Sequence, residues 1–245
     1  MELSSLYSTR LDAWRINHFT GDQLGDISLK FDAAGRVKPF YGLTIVAFVD
    51  PETPLHRKLC DYQQDLRSAL TSAGLDAMFC FLDPLSFHMT LCDIVAAPIP
   101  IPKQDIQDIS DVARACFPRL GMDVELSCEL SGLGLDMSMM VLAGFKTAAA
   151  LTRCLKLEKQ LKVDFGVDQR AFLGHISLAY LVKQPTSLLE HMKAALAPFR
   201  EKYLEAFAFH KISLCLFSDM NHYTPLVEVD IRTGELLSVG SDDTQ

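Results

Sequence analysis

Phe87-His88-Met89-Thr90-Leu91 and Gly174-His175-Ile176-Ser177-Leu178 each place a histidine two residues before a hydroxyl inside an apolar run. In a β-strand residues i and i+2 point to the same face, so each string aims one imidazole and one hydroxyl at a single surface. Imidazole is the side chain whose unperturbed pKa lies nearest physiological pH, so a facing pair can supply one general base and one general acid. Those are the groups needed to cleave a phosphodiester without a metal.

His-x-Ser/Thr is a loose pattern. With seven histidines in the chain and about one residue in eight carrying a Ser or Thr hydroxyl, roughly one chance match is expected. The chain has four. His18-Phe19-Thr20 is followed by Gly21 and His222-Tyr223-Thr224 by Pro225. Gly and Pro interrupt a strand where the hydroxyl would need a fixed direction, so these two are read as turn or strand-end sites and discounted as catalytic.

His88 and His175 are set apart by matching elements upstream. Tyr41 to Val49 is a short β-branched and aromatic run, hence a buried strand. Thr53-Pro54 is an N-cap with proline at the first helical position, and Leu55, Leu59, Tyr62, Leu66 and Leu70 repeat at helical spacing, giving a helix over 54–72. The chain then passes Asp83-Pro84 into the strand of His88 and Thr90. In the second half Leu135 to Phe145 is again an apolar run, Thr147 caps a helix bearing Leu151, Leu155 and Leu161, and Gly174 leads into the strand of His175 and Ser177. Helices at 105–116 and 188–196, a half-exposed strand at 122–130, and strands at 206–217 and 226–231 around a 218–224 loop extend the parallel. The chain reads as a duplicated α+β unit.

These residues resemble the two-histidine (2H) phosphoesterases, which include bacterial and archaeal RNA 2′,3′-cyclic phosphodiesterases once called 2′-5′ RNA ligases. Lys30-Phe31-Asp32 through Gly35, then Pro39-Phe40-Tyr41-Gly42, looks like a less characterised bacterial branch of that superfamily. The resemblance covers roughly residues 40–235. It implies an α+β fold: a bilobal duplicated unit, two antiparallel sheets with outer helices around a central cleft into which both motifs project. The expected division is an N-terminal extension over 1–40, which wraps a lobe or edges the cleft, and a two-lobed domain over 41–235. Its lobes span about 41–132 and 133–235, and a flexible tail follows over 236–245.

Carried over residue by residue, the family pattern implies that His88 and His175 are acid and base, in an order the pseudo-symmetry leaves open. Thr90 and Ser177 would hydrogen-bond the nonbridging phosphate oxygens. Arg170 is placed to reach a phosphate or stack on a base, as a guanidinium can, with a surface loop as the competing reading. Tyr41 and Phe87 can stack a base, against core packing. Tyr180, three residues beyond Ser177, falls on the opposite strand face and reads as packing. His222 and Tyr223 sit on a loop that could overhang the cleft. His210 reads as structural, and His56 and His191 fall on predicted helices without partners.

The implied activity is metal-independent hydrolysis of a 2′,3′-cyclic phosphate on a nucleotide or short RNA end. A 2′-5′ RNA ligase or another RNA-end phosphodiesterase would use the same residues, and a noncatalytic nucleotide-binding protein would keep the same cleft. Composition narrows the partner. With 31 acidic against 23 basic residues and a net charge of −8, the surface repels polyanions, whereas tight binding to long nucleic acid needs many Lys and Arg contacts. The expected partner is a small nucleotide or an RNA terminus, with no DNA and no membrane, and the chain is expected to be a monomer. Lys30, Arg36 and Lys38 cluster as a solvated loop face. No Cys-x-x-Cys, His-Glu-x-x-His or phosphate-cradling glycine loop occurs, so no metal or cofactor is expected. The seven cysteines lie mostly in apolar runs and read as free thiols of a reducing compartment, and no hydrophobic leader is seen, so a cytoplasmic location is expected.

Overall fold

The structure is a computed structural model that describes residues 3–20, 27–32, 34–121, 126–168 and 172–239. Arg170, the first residues of the strand expected at 122–130, and the end of the expected tail lie outside these. The elements are α1 (Leu3–Ala13), α2 (Ile27–Lys30), β1 (Tyr41–Phe48), α3 (Pro54–Ser72), β2 (Phe79–Phe81), β3 (His88–Ala97), α4 (Lys103–Cys116), β4 (Leu126–Leu135) and β5 (Ser138–Gly144). They continue with α5 (Ala148–Phe165), β6 (His175–Leu181), α6 (Leu189–Leu196), β7 (Tyr203–Phe209), β8 (Lys211–Phe217), β9 (Tyr223–Asp230) and β10 (Glu235–Leu237).

The helix starts follow the capping residues. Thr53 Oγ1 accepts the His56 amide at 3.2 Å ahead of Pro54, and Leu55, Leu59, Tyr62, Leu66 and Leu70 form the buried stripe of α3. Thr147 Oγ1 does the same for the Ala150 amide at 3.1 Å, and Gly166 ends α5 in the left-handed region at φ 62°.

Among the described residues all strand pairs are antiparallel and link into one sheet, ordered β10-β9-β8-β1-β3-β6-β5-β4-β7 with β2 added to β6. The two sheets expected from the duplication are present as its two halves, joined at the centre by the single pair Met89↔Ile176. Neither half is a contiguous piece of chain: the consecutive strands β4 to β7 are joined in one half by β2, while β8, β9 and β10 return to the half of β1 and β3.

The apolar run 206–217, expected as one strand, is two strands. His210 separates them, and they occupy different halves of the sheet. A one-residue link between positions so far apart in strand order requires the sheet to curl back on itself. One face of this curl buries the main core against α3, α5 and their neighbours. The other face forms a cleft.

The N-terminal segment packs against both halves. Tyr7 and Leu11 of α1 join the main core. The Trp14 carbonyl accepts the Leu135 amide at 3.0 Å, and Arg15 bridges to Gly134 at the end of β4. Farther on, Ile27, Phe31 and Phe40 form a second small core with Leu82, Phe217 and Met220. No helix among the described residues is long and apolar enough to cross a membrane.

Candidate active site

The pair Met89↔Ile176 brings the two motifs side by side at the sheet centre. Both central residues are fully buried on the core face. In an antiparallel ladder the flanking positions then set His88 opposite Ser177 and Thr90 opposite His175, all four on the other face. These four side chains line one open cavity of about 580 Å³, a size suited to a small ligand.

Each motif strand carries a bulge at the same place. Along β3, Thr90 pairs with Val46 and Cys92 with Ile45, which leaves Leu91 as an extra residue. Along β6, Ser177 pairs with Met140 and Ala179 with Met139, which leaves Leu178 extra. An extra residue reverses the alternation beyond it. The residue three past each hydroxyl, Asp93 in β3 and Tyr180 in β6, is therefore turned into the cleft. This corrects the placement of Tyr180 on the packing face, which rested on unbroken alternation. The signal was in the sequence: His-Met-Thr-Leu-Cys-Asp and His-Ile-Ser-Leu-Ala-Tyr share the leucine that bulges.

The two imidazoles are held in the same way. His88 Nδ1 lies 2.6 Å from the Ser86 carbonyl oxygen and His175 Nδ1 lies 2.9 Å from that of Leu173. A carbonyl only accepts, so each Nδ1 carries the proton and donates, and each Nε2 presents a lone pair to the cleft. Burial pushes the His88 pKa down to about 4; the Ser86 bond opposes this, His175 adds to it and Asp93 opposes it. Burial also lowers His175, against its bond to Leu173 and the charges of Asp93 and Asp136. Aromatic rings wall both: Phe48 at 5.9 Å and Tyr223 at 4.5 Å between centroids for His88, and Trp14 at 5.7 Å for His175.

Ser177 Oγ donates to Ser138 Oγ at 3.1 Å, and Thr44 Oγ1 donates to Asp93 Oδ1 at 2.9 Å. Ser138, Asp93 and Trp14 are cleft residues that the motifs did not single out as functional. Only Asp93 had a local signal, its equivalence to Tyr180 in the repeated motif.

Other expectations fare differently. Tyr41 lies on the strand face shared with Leu43 and Ile45, opposite to Thr44, and is not among the cleft residues. Phe87 is core, 1 % exposed, against the His56 ring. Tyr223 opens β9 and reaches the cleft, whereas His222 is exposed and bonded to Asp219 at 2.7 Å. His56 and His191 are not without partners. His56 Nε2 donates to the Pro84 carbonyl at 3.0 Å and His191 Nε2 lies 3.1 Å from that of Ala73.

The basic cluster at 30–38 is divided. Lys30 lines the cleft above the rings of Phe40 and Tyr180, while Arg36 pairs with Asp32 and Lys38 donates to the Ser28 carbonyl. Among the described residues no group of three or more His, Cys, Asp or Glu is gathered as a metal would require. The seven cysteines are free thiols.

A family model described as "2H-phosphodiest: Domain of unknown function (DUF1868)" matches residues 30–98, a stretch that ends just beyond the first motif. Among solved structures, a conserved protein of unknown function from Agrobacterium tumefaciens superposes with a TM-score of 0.62 at 19% identity, covering 89% of this chain and 97% of that one. The fold is that of the 2H phosphoesterases. Escherichia coli LigT complexed with NADP+ aligns at TM-score 0.51 and 13% identity, over 79% of this chain and 99% of that one. LigT complexed with 3′-AMP aligns at 0.50 and 13%, over 77% and 96%. The sequence match is confined to residues 30–98, and the superpositions, all at 19% identity or below, carry fold alone. No curated protein matches the sequence.

Proposed function

We propose that this 2H protein is a metal-independent phosphodiesterase that hydrolyses a 2′,3′-cyclic phosphate on a nucleotide or short RNA end. The observation that carries the reading is the pair of imidazoles at the sheet centre, each with Nδ1 committed to the carbonyl two residues back and Nε2 turned to one cleft. The nucleotide complexes of LigT, with 3′-AMP and NADP+, support a nucleotide as the substrate class.

His88, held neutral by its depressed pKa, takes a proton from water at Nε2. The water attacks phosphorus in line with the departing ribose oxygen, and the P–O bond to that oxygen breaks. His175, whose pKa burial lowers against the opposing charges of Asp93 and Asp136, acts in its protonated form and gives its Nε2 proton to the leaving oxygen. Thr90 and Ser177 donate hydrogen bonds to the nonbridging oxygens. Ser177 is released for this when Ser138 reverses their shared bond and becomes the donor.

The test is incubation of a cyclic mononucleotide and of a short RNA with a cyclic end in EDTA. Turnover of either supports the reading, and the position of the product phosphate identifies the leaving oxygen. A protein that binds 3′-AMP and cleaves neither substrate is not this enzyme.

A further inference from the structure

The two catalytic histidines are matched in tautomer but not in what holds them. Each donates Nδ1–H to the carbonyl of a peptide unit two residues back, so the orientation of that peptide plane sets the direction of the ring. For His88 the unit is Ser86–Phe87. Its other end, the Phe87 amide, donates to the Pro84 carbonyl at 3.2 Å. That clamp is local, part of the one-turn 3-10 helix Pro84–Ser86 that Asp83 caps.

For His175 the unit is Leu173–Gly174. Its amide end, Gly174 N–H, donates at 3.1 Å to the hydroxyl of Tyr7, a residue 167 positions away in α1. The same hydroxyl donates to the Ala143 carbonyl at 2.7 Å. The Ala143 amide in turn donates to the Gly174 carbonyl at 2.9 Å. The Tyr7 ring is seated against Phe145 and Phe172. Gly174 permits this approach, since a Cβ there would lie 2.9 Å from Ala143 Cβ and 3.3 Å from the Tyr7 oxygen. A few residues on, the same N-terminal segment sets Trp14 beside the His175 ring, anchored through the Leu135 amide and the Arg15 bridge.

We propose that Tyr7 is a positioning residue for His175, holding from α1 the peptide plane whose carbonyl orients the imidazole. This rests on the reading of His175 as catalytic. The consequence is that a segment outside the duplicated unit, and outside the family-model match at 30–98, governs turnover.

Tyr7→Phe keeps the ring and its packing and removes only the hydroxyl. It is paired with Tyr62→Phe, which removes another buried hydroxyl, bonded to the Phe199 carbonyl at 3.0 Å and not among the cleft residues. Tyr7→Phe is expected to lower kcat at least tenfold with KM within about twofold, as displacement of a catalytic group does. Tyr62→Phe is expected to leave both unchanged, with thermal unfolding confirming that each variant is folded.

The second readout needs no substrate. Heteronuclear NMR of the imidazole nitrogens, assigned with the two His→Ala variants, should show His175 losing its single Nδ1–H tautomer in Tyr7→Phe while His88 keeps its own. Unchanged His175 ring signals in a folded Tyr7→Phe protein would overturn the proposal. Absence of turnover in the wild type would count against the proposed function and leave the NMR comparison to decide the role of Tyr7.

Discussion

At the scale of single residues, the chemistry depends on two imidazoles with different work to do. In the proposed mechanism free enzyme is active when His88 is neutral and His175 is charged. As pH rises through about 4, His88 loses its proton and kcat/KM climbs. As pH rises further, His175 deprotonates below its ordinary 6.5 and kcat/KM falls. The expected profile is a bell centred on the acid side of neutrality. Asp93→Asn removes a carboxylate that favours the charged form of His175, so its descending limb should move to lower pH. A limb that stays in place would deny Asp93 that part. The four motif residues were legible in the sequence because strand alternation and a repeated pattern sufficed to find them. Asp93 and Tyr180 were hidden because a single extra residue in each strand inverts the parity on which such reading depends.

Elements explain both what sequence reasoning recovered and what it missed. Helix α3 was legible to the residue, because Thr53, Pro54 and a five-residue apolar stripe all mark the same segment. The break at His210 was not, since the alternation of 206–217 runs through it and only the pairing of β7 with β4 and β8 with β1 separates the two strands. Tyr41 was misjudged for a related reason: its type suits a stacking role, but the face is set by register with β3.

Register also makes the cleft wall sensitive to small changes. Gly42 of β1 lies directly under the Phe217 ring, and a Cβ there would collide with that ring and with the Val95 carbonyl oxygen. Gly42→Ala is expected to destabilise the fold by roughly 1–3 kcal/mol, the usual cost of overpacking. Urea denaturation measures this, and a variant as stable as the wild type would show that Phe217 moves aside freely.

For the whole molecule, charge and closure bear on the substrate of the proposed activity. The net charge is −8, and Asp93, Asp136, Glu158 and Asp168 line the cleft beside Lys30. A polyanion meets repulsion that a single cyclic phosphate largely escapes, and salt screens it within about a Debye length. A cyclic mononucleotide should therefore show higher kcat/KM than a long RNA with the same end, and the gap should narrow as salt rises. A preference for long RNA that salt abolishes would mean a basic track exists instead. The N-terminal segment adds the closure: it places Trp14 at one flank of the cleft and Lys30 with Phe40 at another. Composition indicated the charge and the N-terminal segment was expected to wrap a lobe or edge the cleft, but the Tyr7 contact was not legible, since nothing local marks Tyr7 as the partner of a peptide so distant in the chain.

The measurement that bears most directly on the whole account is kcat/KM for a 2′,3′-cyclic nucleotide in EDTA, for the wild type, His88→Ala, His175→Ala and the double variant. Paired acid and base predict a loss of at least about a hundredfold for each single change. The double variant should be little worse than the worse single one, because groups that act as a unit are not additive. A single variant that keeps wild-type turnover while folded, or a wild type that EDTA silences, would contradict the two-histidine mechanism.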